Sequence, residues 1–133
     1  MSPKAAVKNM RIKKILIIED DEDLHLIYRL YLQGESYQIL QARNGREGLE
    51  ILAREKPDLI ILDMIMPVMD GEDFIQKYRL EQKEFDIPII IASVNDKVPP
   101  YLLEKGKIRT VLKKPFPVES LLKEIETILN DKG

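Results

Sequence analysis

The chain has no cysteine and no tryptophan, a single histidine, and only three phenylalanines among its 133 residues. Without cysteine there are no disulfides, no thiolate metal sites and no thiol nucleophile, which suits a reducing, cytoplasmic setting. One histidine excludes any metal centre built on several imidazoles. No apolar run approaches the roughly 20 residues that a membrane helix needs, so no membrane association is expected. Charge of one sign is also lacking, since 21 basic and 23 acidic residues leave a formal net charge of -2. That balance gives no electrostatic reason to expect direct nucleic-acid or anionic-membrane binding. The basic segment 1–11 has no central apolar block and does not read as a secretion signal. It is expected to be a flexible tail ahead of one domain over 12–133.

What is present is a regular alternation. Short β-branched runs, expected as strands near 14–18, 37–42, 58–62, 87–92 and 108–112, alternate with segments of helical period near 22–34, 45–55, 71–82, 99–105 and 117–130. Such alternation predicts an α/β fold with a parallel sheet flanked by helices. The first, third and fourth runs are apolar throughout, as strands covered on both faces should be. Tyr37 to Ala42 alternates more and suits an edge. Asn44-Gly45 reads as a helix start rather than a hairpin, because Leu49 and Leu52 follow at helical spacing. Gly34 and Gly106 fall where helices should stop.

Three of the strands end in reactive groups. Ile15-Leu16-Ile17-Ile18 runs into Glu19-Asp20, Leu59-Ile60-Ile61-Leu62 into Asp63, and Ile89-Ile90-Ile91-Ala92 into Ser93. If these strands are parallel neighbours, the groups meet at the carboxyl edge of the sheet, where open α/β sheets bind ligands. Clustered carboxylates cannot all stay ionised unless a cation joins them. An all-oxygen donor set suits Mg²⁺ better than a transition metal. Asp21, Glu22 and Asp23 are better explained as first-turn acids favoured by the positive helix end. His25 adds no convincing nitrogen ligand. Lys114 follows Val111-Leu112 at the end of strand five and precedes Pro115, so it too should project at this edge, while Lys113 faces solvent. A carboxylate at such a site can attack phosphorus and form an acyl phosphate. Asp63 is the residue best placed to do so, with Lys114 as a point charge on phosphoryl oxygens and Ser93 as a further donor. The plainer alternatives are a Lys114 ion pair and a Ser93 hydroxyl satisfied in its own turn.

At these residues, from about Ile12 to Asn130, the chain resembles a response-regulator receiver domain of two-component signalling, similar to the chemotaxis response regulator. The resemblance rests on Ile15-Leu16-Ile17-Ile18-Glu19-Asp20-Asp21, on Pro57-Asp58-Leu59-Ile60-Ile61-Leu62-Asp63 with Met66-Pro67 and Met69-Asp70-Gly71, on Ser93, and on Lys114-Pro115-Phe116. It implies a doubly wound, flavodoxin-like, three-layer fold with strand order 2-1-3-4-5. It also implies that Asp63 receives a phosphoryl group from a phosphohistidine on a sensor histidine kinase or phosphotransfer protein. Mg²⁺ would be bound by Asp20, Asp63 and the backbone carbonyl of Ile65, with Glu19 acting through water. Lys114 would contact the phosphoryl group, Lys114-Pro115 would be cis, and Ser93 would swing toward the phosphoryl oxygen. Beyond its own phosphorylation and slow dephosphorylation, such a chain is not an enzyme.

Three residues or pairs depart from the family pattern. Val111 stands where a switch aromatic is usual, Val94 where Ala or Gly is usual, and Pro99-Pro100 should shorten helix four to about two turns. They motivate a second reading, a degenerate receiver that binds a partner through a fixed surface without phosphate. An Asp-nucleophile phosphatase of the haloacid dehalogenase type would need an acid two residues after Asp63, where Ile65 stands. Nucleotide binding would need a glycine-rich loop, and none is present. No output segment follows residue 130, so the signal is expected to leave through protein contact, or the chain to be part of a longer regulator.

Overall fold

The computed structural model describes residues 12–34, 37–82, 86–95, 97–105 and 107–130. Five strands and five helices alternate: β1 Lys14–Ile18, α1 Glu22–Gln33, β2 Gln38–Ala42, α2 Gly45–Arg54, β3 Leu59–Leu62, α3 Gly71–Glu81, β4 Ile89–Ser93, α4 Pro100–Lys105, β5 Ile108–Lys113 and α5 Val118–Asn130. The elements lie within two residues of the expected bounds at every end. The tail expected over 1–11 and the helix stop expected at Gly106 fall outside the described residues.

All pairings are parallel and the strand order is β2-β1-β3-β4-β5. This is the doubly wound order with its reversal between β1 and β3. Alternate side chains of each strand enter opposite cores. Leu16, Ile18, Ile60, Leu62, Ile89 and Ile91 pack with Ile51 of α2, Phe74, Ile75 and Tyr78 of α3, and Leu102 of α4. Ile15, Ile17, Leu59, Ile61, Ile90 and Ala92 pack instead with Tyr28 and Leu32 of α1 and with Leu121, Ile125, Ile128 and Leu129 of α5. The sheet is thus covered on both faces, and β1, β3 and β4 bury almost every side chain. The two edge strands, β2 and β5, are the partly exposed ones.

Caps set where the helices begin. Asp21 Oδ1 accepts from the amides of Asp23 and Leu24, Asn44 Oδ1 from Glu47, and Asp70 Oδ1 from Asp73. Each satisfies amides that the first turn leaves unpaired. Asn44-Gly45 therefore opens a helix, and Gly34 caps the end of α1. Helix α4 starts at Pro100 and runs for 6 residues, as two prolines in succession dictate. Gly48 sits under the sheet: a Cβ there would lie 2.6 Å from Ile18 Cδ1 and 3.2 Å from Phe74 Cε1, so any larger residue would have to displace the Ile18 side chain.

Candidate functional site

The parallel ladder runs one bond beyond β1, β3 and the edge strand β5. Glu19 N donates to Ala42 O at 3.0 Å, Asp63 N to Ile18 O at 3.0 Å, and Lys114 N to Ser93 O at 2.9 Å. The residue just after each strand is thereby held in register with its neighbour, and three side chains leave the sheet at one edge. Glu19, Asp63 and Ser93 are buried, while Asp20 is exposed.

Lys114 Nζ lies 2.7 Å from Glu19 Oε1 and 3.3 Å from Asp63 Oδ2, so one ammonium bridges two carboxylates. The remaining oxygens are also engaged. Asp21 N donates to Glu19 Oε2 at 3.0 Å, and Ile65 N donates to Asp63 Oδ1 at 3.1 Å. Glu19, Asp20 and Asp63 can each offer a carboxylate oxygen within 4.8 Å of the others, and among the described residues this is the acid group compact enough to hold a metal ion. Oxygen-only donors at that spacing, one of them facing solvent, fit a hard divalent cation that keeps some of its water.

The electrostatics show the strain of this gathering. Burial, above all, pushes the Glu19 carboxyl from 4.5 up to about 7; the Asp63 charge adds to the rise, and hydrogen bonds from Lys114 and Asp21 N oppose it. Burial works against the Lys114 ammonium as well, yet Glu19 and Asp63 outweigh it and hold its pKa above the ordinary value. The field reaches further, to Tyr28, whose hydroxyl is raised first by burial and then by Glu19, Asp63 and Asp21. One lysine does not neutralise the acids, and a divalent cation would.

The structure brings Glu19, Asp20, Asp63 and Lys114 together. Ser93 ends β4 at the same edge, but its Oγ accepts from Asn95 N at 3.4 Å, within its own turn. Ile65 contributes its amide to Asp63, and its side chain is exposed. Asp21 is the α1 cap, Glu22 pairs with Arg43, and Lys113 is exposed, each outside the acid group. The peptide Lys114-Pro115 is cis. Val94 is exposed beside Ser93, whereas Val111 packs against the core of the α2, α3 and α4 face.

Two features escape a reading of the sequence. Val68, in the loop after Asp63, has φ 70°, and Met69 N donates across it to Pro67 O at 2.7 Å, a γ-turn of the strained positive-φ kind. His25 is buried and its Nε2 faces the carbonyls of Glu19 and Ala42. The available signal for His25 was its position on the helix face shared with Tyr28 and Leu32.

A family model described as the response regulator receiver domain matches residues 15–126. The curated relative Probable transcriptional regulator ycf27 of Porphyridium aerugineum is 35% identical over 124 residues, covering 90% of this chain and 49% of its own length. The chain thus spans about half of that relative. A signal receiver domain from Vibrio parahaemolyticus superposes with a TM-score of 0.79 at 30% identity, covering 91% of this chain and 92% of that one. The response regulator protein TrrA of Thermotoga maritima, solved in complex with Mg(2+)-BeF, gives a TM-score of 0.72 at 25% identity, covering 88% and 99%. The chain belongs to the response regulator receiver domain family of two-component signalling. No helix among the described residues is long and apolar enough to cross a membrane.

Proposed function

We propose that Asp63 accepts a phosphoryl group from a phosphohistidine of a partner kinase or phosphotransfer protein, in a Mg²⁺-dependent reaction that changes which protein surfaces this chain presents. The observation that carries the reading is the convergence of Glu19, Asp20 and Asp63 within 4.8 Å, with Lys114 bridging two of them. The Mg²⁺-bound TrrA relative supports the choice of ion.

Asp20, Asp63 and the Ile65 carbonyl would hold the ion, with Glu19 reaching it through water. When bound, Mg²⁺ supplies positive charge to the transferring oxygens. A carboxylate oxygen of Asp63 attacks phosphorus as the N–P bond of the donor breaks, and the electron pair returns to the imidazole nitrogen. The product is an acyl phosphate. Phosphoryl transfer asks mainly for positioning and charge. Ile65 N orients the Asp63 carboxylate, and Lys114 leaves its 3.3 Å contact with Asp63 to meet a phosphoryl oxygen. Ser93, released from Asn95 N, would turn toward another oxygen and draw Val94 and Asn95 with it. Ile65, Val68 and Val94 stand exposed in the loops after Asp63 and Ser93, apolar surface that a donor protein can cover. The chain acts on no substrate beyond its own phosphorylation and slow hydrolysis.

The test uses acetyl phosphate as a small donor. With Mg²⁺ the intact mass should rise by one phosphoryl group, and Asp63→Asn or chelation of the metal should abolish the rise. A wild-type protein that stays unmodified would favour the fixed-surface interaction module instead.

A further inference from the structure

His25 is the single histidine of the chain and is 5% exposed, on the core-facing side of α1 with Tyr28 and Leu32. An imidazole buried at such a position is unfavourable unless its polar atoms are bonded. Nε2 lies 2.6 Å from Glu19 O and 3.1 Å from Ala42 O. Both partners only accept, so Nε2 must carry the hydrogen. Nδ1 is buried without a partner among the described residues, so the whole polar effect of the side chain is spent on those two carbonyls.

We propose that His25 is a positioning residue for the divalent-cation site, acting through the main chain of Glu19. Two of the three acids of the cluster, Glu19 and Asp20, lie in the turn between β1 and α1. Glu19 is held at its amide by Ala42 O and at its carbonyl by His25. Because Ala42 O also accepts from His25, the imidazole ties the end of β1 to the end of β2 at one point. On the other side of Asp20, Asp21 is fixed by capping α1. Asp20 is exposed and has little packing of its own, so its place relative to Asp63 depends on these two anchors. Without His25 the Glu19 carbonyl loses its donor, and the turn that aims both carboxylates can relax. Residues that orient ligands from behind typically matter by about 10- to 100-fold in metal affinity. A histidine that only filled the core would affect stability and leave that affinity alone.

The inference rests on the Mg²⁺ reading given above, and its test separates the two. The protein is titrated with Mg²⁺ alone, following backbone amides of Glu19 and Asp20 and the imidazole nitrogens by NMR. In the wild type the ring should show the Nε2–H form, and its resonances should move along the same titration as the two amides. His25→Leu, which keeps bulk but no donor, should weaken Mg²⁺ binding by about 10-fold or more. His25→Gln, whose amide can donate to the same carbonyls, should recover much of the loss. A folded His25→Leu protein with wild-type affinity would overturn the proposal, as would an Nδ1–H ring or imidazole signals that ignore Mg²⁺. Should His25→Leu not fold, the wild-type spectra and His25→Gln decide alone. A wild type that does not bind Mg²⁺ would remove the cation reading itself, whereas wild-type binding left unchanged in the variant removes only the role of His25.

Discussion

Lys114 Nζ approaches Glu19 Oε1 to 2.7 Å across 95 residues of sequence, closer than it comes to Asp63 at 3.3 Å. The lysine is therefore anchored on the acid next to the proposed phosphoacceptor and only shared with the acceptor itself. That asymmetry leaves Asp63 the more weakly held of the two carboxylates. Lys114 can then move onto an incoming phosphoryl oxygen without leaving Glu19 unpaired, which would be costly at a buried acid.

Metal linkage follows from the same crowding. An ion that binds the folded cluster and not the unfolded chain stabilises the fold by mass action. Millimolar Mg²⁺ should raise the melting temperature of the wild type, and Asp20→Asn should flatten the response while leaving the metal-free protein folded. Differential scanning fluorimetry across a Mg²⁺ series measures both. An undiminished response in Asp20→Asn would put the ion elsewhere.

The Glu19 carboxyl carries a pH signature. Its pKa is raised from 4.5 to about 7 in the fold, chiefly by burial. A group raised on folding favours the fold while protonated, so its contribution is fully present below its ordinary value and is lost as pH rises through about 7. In metal-free buffer the wild type should lose stability relative to Glu19→Gln between about pH 4.5 and pH 7. Denaturant midpoints of the pair at successive pH values give the difference, and a flat difference would contradict the burial argument.

Gly71 opens α3 against the loop that follows Asp63. A Cβ there would lie 2.7 Å from Met64 Cα and 2.9 Å from Asp63 O, and these are backbone atoms with nowhere to go. Gly71→Ala should cost about 1–3 kcal/mol, the range for overpacking, and should slow phosphorylation by shifting the Asp63 main chain. Urea melts and single-turnover labelling with acetyl phosphate report the two effects. Full activity with full stability would mean that the loop gives way freely.

Val68 stores strain in the same loop. A β-branched residue at positive φ costs about 1–2 kcal/mol, and glycine removes that cost while adding unfolded-state freedom worth roughly 0.5–1 kcal/mol. Val68→Gly should therefore stabilise the protein by up to about 1.5 kcal/mol. A loss of stability on denaturant melting would show that the exposed valine makes contacts that outweigh its backbone.

Much of this architecture was legible because β1, β3 and β4 are apolar runs with charged or hydroxyl residues at their ends. Burial on both faces demands such runs, and the loops that follow must carry whatever polar groups the edge needs. Asn44 was equally plain as a helix start, whereas Asp21, expected in the first turn, is the cap itself one residue earlier, and the cap at Asp70 had no expectation attached to it. Three things were not legible. The β4–β5 register slips between Ile89 and Ile90, which depends on pairing and not on composition. Tyr101 of α4 donates to Glu72 of α3 and accepts from Gln76, a link between exposed residues more than twenty positions apart that no local pattern announces. His25 carried no motif, because its partners are main-chain carbonyls, present at every residue and invisible in a sequence. Ser93 shows the same limit: the sequence gives the hydroxyl, but only packing decides that it serves its own turn in this state.

The most direct test of the central claim locates the phosphoryl group chemically. The protein is treated with acetyl phosphate and Mg²⁺, reduced with borohydride, digested and sequenced by mass spectrometry. Reduction of an acyl phosphate on Asp63 predicts homoserine at position 63 and at no other carboxylate. Phosphorylated protein in which Asp63 stays unreduced, or the corresponding alcohol at another carboxylate, homoserine at Asp20 or 5-hydroxynorvaline at Glu19, would contradict it.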